Sequence, residues 1–157
     1  MESNKQQSGF IKKEEGQSYW MPRGQGEHVT IKVSPWNVPN ASHTVFLHEI
    51  PPGNFVGEHW HENQPEIFIC LAGEGIIQLD DKKFKLEPEA VAYVGNNVVH
   101  SIRATGNTPL KMMVIITPSG LEERFKLMGK PRNPGDHAPQ PFDSSAPAES
   151  HGVKKSE

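Results

Sequence analysis

The chain has 157 residues, is 34 % hydrophobic by composition and carries a net charge of −3 at pH 7. That length predicts one domain, and the mild acidity argues against nucleic acid or an anionic membrane surface as partner. No apolar run is long enough to span a bilayer, the start Met1-Glu-Ser-Asn-Lys lacks the apolar core of a signal peptide, and the lone Cys70 excludes an internal disulfide framework, so the cytoplasm is the expected compartment.

Residues 1–18 are polar and are expected to form a flexible N-terminal segment. Tyr19-Trp20-Met21-Pro22 is the first stretch able to bury area. From His28 to Thr117 the chain runs in short stretches of Val, Ile, Phe and Thr, cut by Gly, Pro and Asn. Strands are predicted at 28–33, 43–50, 55–61, 66–71, 75–80, 83–86, 90–94, 98–104 and 110–117. Ala72-Gly73-Glu74-Gly75 and Asp80-Asp81-Lys82 read as hairpin turns. So many short strands at this spacing predict an all-β fold, an antiparallel sandwich or barrel. Ser119-Gly-Leu-Glu122 has the pattern of a capping box. With Leu121, Phe125 and Leu127-Met128 as an apolar stripe and Gly129 as a stop, it predicts one short helix over 120–128. Residues 130–157 hold five of the fourteen prolines, and that composition predicts an irregular tail, with Phe142 able to dock on the barrel.

The chemistry concentrates between these elements. His59 and His61 are one residue apart, and residues i and i+2 of a strand share a face. Glu66 follows the turn Asn63-Gln64-Pro65 and can aim a carboxylate back at the two imidazoles. His100 stands beyond the turn Gly95-Asn96-Asn97 and offers a third imidazole. Three nitrogens and one hard oxygen suit one divalent transition metal, with Fe, Mn, Ni, Cu and Zn all admissible. One or two coordination positions would stay open for water, substrate or dioxygen.

At these residues the chain resembles the cupin superfamily. Its first motif is met at every fixed position: Gly53, five residues, His59-x-His61, four residues, Glu66, six residues, Gly73. The second motif keeps only the histidine, with Glu89, Gly95, Asn97 and Ala104 standing where Gly, Pro, Gly and Asn are usual. Asn tolerates the left-handed backbone that the third of these positions requires. The opening Tyr19-Trp-Met-Pro-Arg-Gly-Gln-Gly-Glu27 and the stretch Thr117-Pro-Ser-Gly-Leu-Glu-Glu-Arg-Phe125 add a weaker likeness to single-domain, quercetin-dioxygenase-like cupins. The resemblance implies a jelly-roll barrel over 19–129, His59, His61, Glu66 and His100 as metal ligands, and Glu66 as the base that deprotonates a small-molecule substrate. It also implies a homodimer covering the strand edges of a small barrel, with residues around Tyr19 to Val33 contributing. The expected reaction is dioxygenation of a small phenolic or enolic substrate. The alternatives are a redox-silent isomerase, lyase or decarboxylase of a small oxygenated acid, and a cupin that binds a small molecule without catalysis.

Among the remaining candidates, His48 lies on a strand and would serve as an acid or base beside the metal if it pointed inward. Cys70 shares the face of Glu66 and reads as a small buried apolar group. Phe68, Val98, Ile102, Met112 and Val114 are candidates for a dry interior wall.

Overall fold

A computed structural model describes residues 7–22 and 24–144. The elements follow in the order β1 (Gln17–Trp20), β2 (His28–Val33), β3 (Thr44–Ile50), β4 (Phe55–His59), β5 (Glu66–Ala72), β6 (Gly75–Leu79), β7 (Lys82–Leu86), β8 (Val91–Val94), β9 (His100–Ala104), β10 (Leu110–Ile116), α1 (Leu121–Met128) and β11 (Lys130–Arg132). The strands form two antiparallel sheets. The larger runs β11-β1-β2-β3-β10-β5-β8 and the smaller β4-β9-β6-β7. This is the all-β jelly roll with one short helix that the sequence predicts. No helix among the described residues is long and apolar enough to cross a membrane.

Period-two alternation decides which side chains face inward. On β3, Thr44, Phe46, His48 and Ile50 are buried, and on β10 Leu110, Met112, Val114 and Ile116 are. β5 buries Glu66, Phe68 and Cys70. Because these strands pair in register, the inward residues form rows across the sheet. One row is Thr44, Ile116, Glu66 and Val94, and another is Val29, His48, Met112 and Cys70. Ile77 of β6 and Ile102 of β9 close the core from the smaller sheet, both at most 2 % exposed. Phe68, Ile102, Met112 and Val114 are buried in this core, and Val98 packs against it.

Two motif positions have clear backbone reasons. Gly73 sits at φ 77°, and a Cβ there would come within 2.3 Å of the Pro109 carbonyl oxygen, so both conformation and space demand glycine. Asn97 sits at φ 61°, the left-handed conformation expected of an Asn replacing glycine.

Three local features differ from expectation. β1 starts at Gln17, and β11 lies inside the stretch expected to be irregular. β1 pairs with β2 along its whole length and with β11 on its other side, Tyr19 opposite Pro131, so pairing makes these strands where propensity did not. The first turn of α1 is capped differently from a capping box. Gly120 rather than Ser119 is the N-cap, while the Glu122 carboxylate accepts from the Gly120 N–H at 2.8 Å and from the Thr44 hydroxyl. Glu122 is 3 % exposed, so it ties the helix to β3. Gly129 ends the helix in extended conformation. A Cβ there would meet the Trp20 carbonyl oxygen at 2.7 Å, so close packing on β1 requires this glycine. Phe125 then stacks edge-on against Phe46, with ring centroids 4.8 Å apart.

Candidate metal centre

His59, His61, Glu66 and His100 converge. One potential ligand atom from each lies within 4.8 Å of those of the others. Pairing of β4 with β9 sets His59 directly opposite His100, after a register shift between Val56 and His59, and their ring centroids are 4.1 Å apart. β4 ends at His59, so His61 lies just beyond the strand rather than on it. The turn before β9 fastens it, because the Asn97 N–H donates to the His61 carbonyl at 2.8 Å. Glu66 opens β5 and reaches in from the larger sheet. The three imidazoles and the carboxylate therefore come from both layers of the barrel. His61, Glu66 and His100 are at most 4 % exposed.

The hydrogen bonds fix which nitrogens are left for a metal. His59 Nδ1 is 2.8 Å from the Gly57 carbonyl, and His100 Nδ1 is 3.0 Å from the Val98 carbonyl. A carbonyl only accepts, so both Nδ1 atoms carry the proton and both Nε2 atoms present lone pairs. His100 Nε2 then lies 3.0 Å from Glu66 Oε2. Neither atom has a hydrogen-bond partner, and both are buried. Two acceptors held this close away from water need a cation between them. A proton there would make His100 an imidazolium; a divalent ion satisfies both atoms and His59 Nε2 as well. The donor set thus fits a divalent metal. His61 Nε2 is 3.3 Å from the same Glu66 oxygen.

Burial, reinforced by the neighbouring His100, pushes the pKa of His59 from 6.5 down to about 3. In the metal-free chain a proton can take the cation's place between His100 Nε2 and Glu66; burial pushes Glu66 up, but such contacts with His100 and His61 outweigh that and hold it at about 2, below its usual 4.5. In the unfolded chain both groups bind protons at pH values where the folded, metal-free chain does not. Stability present above the unfolded pKa is lost as pH falls, from 6.5 toward about 3 for His59 and from 4.5 toward about 2 for Glu66. The Tm of metal-free protein should therefore drop as pH is lowered below 6.5, and His59→Gln should flatten the upper part of that slope. Equal slopes for the two proteins would contradict this account of the site.

Among the described residues, the other histidines, Cys70 and Trp60 lie outside the cluster. His48 points inward, but its row is four residues along the strand from the Glu66 row, about 13 Å at normal strand rise. Its Nε2 is 2.9 Å from Glu27 Oε1, and both side chains are buried. It therefore does not stand beside the cluster. Nothing in the sequence singles out Glu27, which is 21 positions from His48 and reaches it only through the β2–β3 pairing. Cys70 shares the Glu66 face, is 1 % exposed and stands outside the cluster. Trp60 is half-buried. His28 contacts the Gly26 carbonyl and Glu49, His43 contacts Ser42, and His137 is exposed. His151 lies outside the described residues.

Residues 46–116 match the family model described as Cupin domain. The chain is 37 % identical over 68 residues to the oxalate-binding protein of Thermotoga maritima, covering 43 % of this chain and 56 % of that one. It is 32 % identical over 83 residues to quercetin 2,3-dioxygenase of Bacillus subtilis, covering 53 % of this chain and 24 % of that one. The chain thus spans about half of the first relative and a quarter of the second. The crystal structure of a predicted oxalate decarboxylase from Thermotoga maritima superposes with a TM-score of 0.61 at 26 % identity, over 71 % of this chain and all of that one.

Proposed function

This chain belongs to the cupin superfamily through its domain at 46–116, and from that premise we propose that it is a metal-dependent dioxygenase of a small phenolic or enolic molecule. His59, His61, Glu66 and His100 are the proposed ligands. The observation that carries the metal is the buried contact of His100 Nε2 with Glu66 Oε2, two acceptors without hydrogen-bond partners. Bound there, a divalent ion supplies Lewis acidity toward a substrate hydroxyl and, if it is Fe, Mn, Ni or Cu, electron exchange with dioxygen.

The chain's own residues do the rest. The Gly57 and Val98 carbonyls hold the His59 and His100 rings in one tautomer. Glu66 is ionised at neutral pH and can accept the substrate's hydroxyl proton at one carboxylate oxygen. Phe68, whose ring centroid is 6.0 Å from that of His100, and the buried Ile102 and Val114 keep water from the reacting atoms. Among the described residues no Lys or Arg is buried, which suits an aromatic or enolic body better than a small dianion.

The likeness to an oxalate-binding protein and to a predicted oxalate decarboxylase favours one second reading, a redox-silent metal acting on a small oxygenated acid. Reconstitution with iron, manganese, nickel and copper, followed by oxygen uptake over flavonols, catechols and enolised diketones, separates the two. Oxygen consumption by at least one form is expected. Anaerobic decarboxylation or isomerisation with no oxygen uptake in any form would replace the dioxygenase reading with the second.

A further inference from the structure

The outer face of the larger sheet carries a charged cleft that the metal chemistry does not use. His28, Glu49 and Lys111 stand in one register row across β2, β3 and β10. Each is followed by an inward neighbour, Val29, Ile50 and Met112, so the row lies on the face turned away from the metal cluster. With Arg132 of β11 and with Lys13 and Glu14 of the N-terminal stretch, these residues line a cavity of about 190 Å³. Lys32 fastens that stretch to β2, because its Nζ donates to the carbonyls of Lys12, Lys13 and Glu15 at 3.0, 2.7 and 2.6 Å.

Arg132 is firmly mounted and under-used. Its guanidinium carbon lies 4.9 Å from the centre of the Trp20 ring, and Nη1 donates to Ser18 Oγ at 3.3 Å. Ser18 is itself held, since its hydroxyl donates to the Val29 carbonyl at 2.9 Å. Arginine carries five N–H donors, and among the described residues only Ser18 accepts from this one. Outside the metal cluster, Arg132 Nε is the buried side-chain polar atom among the described residues that has no hydrogen-bond partner. The two carboxylates of the cleft are engaged elsewhere. Glu14 lies 4.0 Å from Lys13, and Glu49 Oε2 lies 3.7 Å from His28 Nε2. Arg132 and Lys111 form no ion pair with a carboxylate of the described residues.

We propose that this cleft binds a small oxyanion, a carboxylate or phosphate group, in the fork of Arg132, with Lys111 on the far wall adding positive charge. A planar guanidinium matches either group with two parallel hydrogen bonds. Stacking on Trp20 sets the plane of the fork before the ion arrives, so little side-chain freedom is lost on binding. The ion and the metal occupy opposite faces of the larger sheet.

Calorimetric titration of the full chain with inorganic phosphate and, separately, with acetate tests this, at fixed ionic strength so that screening is constant. One ion per chain is expected for at least one probe, and the probe that binds tells a phosphate source from a carboxylate one. Arg132→Gln should weaken that binding roughly tenfold or more, the scale of a lost hydrogen bond to a charged group, while bound metal stays unchanged. An ion seated on the metal instead would be indifferent to Arg132. Should Arg132→Gln fail to fold, Arg132→Lys, which keeps the charge and loses the fork, must weaken binding of the same probe. No one-to-one binding of either probe, or binding that a folded Arg132 variant leaves unchanged, would overturn the proposal.

Discussion

Replacing His59 or His61 with alanine is expected to abolish stoichiometric metal. It should also remove the stability that metal gives the wild type. A ligand that binds only the folded chain stabilises it by RT ln(1 + [L]/Kd), about 4 kcal/mol at a thousandfold excess over Kd. For a domain of this size that is a fall in Tm of roughly 10 °C. The comparison has an internal control. In the metal-free protein, His59 is half-buried beside two other imidazoles, with its pKa pushed down to about 3. Its removal should then cost far less than in the loaded protein. Calorimetry with and without metal reads both effects. If both variants keep a full equivalent of tightly bound metal, the ligand assignment is wrong.

Glu66→Gln separates the two proposed roles of the carboxylate. Glutamine keeps the size and a ligating oxygen but cannot accept a proton. Metal should be retained, while turnover of the substrate that supports oxygen uptake falls roughly a hundredfold or more, the usual scale for a general base. Loss of the metal together with turnover would make Glu66 chiefly a ligand. Near-normal turnover would make it dispensable for proton transfer.

The strands between His28 and Ile116 were readable because Val, Ile and Phe recur with period two between turn residues. The observed boundaries agree to within two residues. β1 and β11 were not, because Gln17-Ser-Tyr-Trp20 and Lys130-Pro-Arg132 have no alternation of their own; β1 forms by pairing with β2 and β11, and β11 by pairing with β1. Pro131 is tolerated because β11 is a sheet edge. The helix was legible from its apolar stripe, but its cap was not, since Glu122 is committed to Thr44, 78 positions away.

The grouping of His59, His61, Glu66 and His100 could be anticipated from their spacing, but the shared strand face expected for His59 and His61 is not what forms it: β4 ends at His59, and His61 is held beyond it by the Asn97 N–H. The place of His48 could not be read. That it faces Glu27 rather than the cluster depends on the register of β2 on β3 and on how many rows separate it from Glu66.

The most direct test of the metal centre is a titration of metal-free wild-type protein with iron, manganese, nickel, copper and zinc in turn, following bound metal and Tm together. One equivalent of at least one divalent ion per chain, with a rise in Tm that His100→Ala abolishes, is the result predicted. No bound metal and an unchanged Tm across all five ions would contradict it.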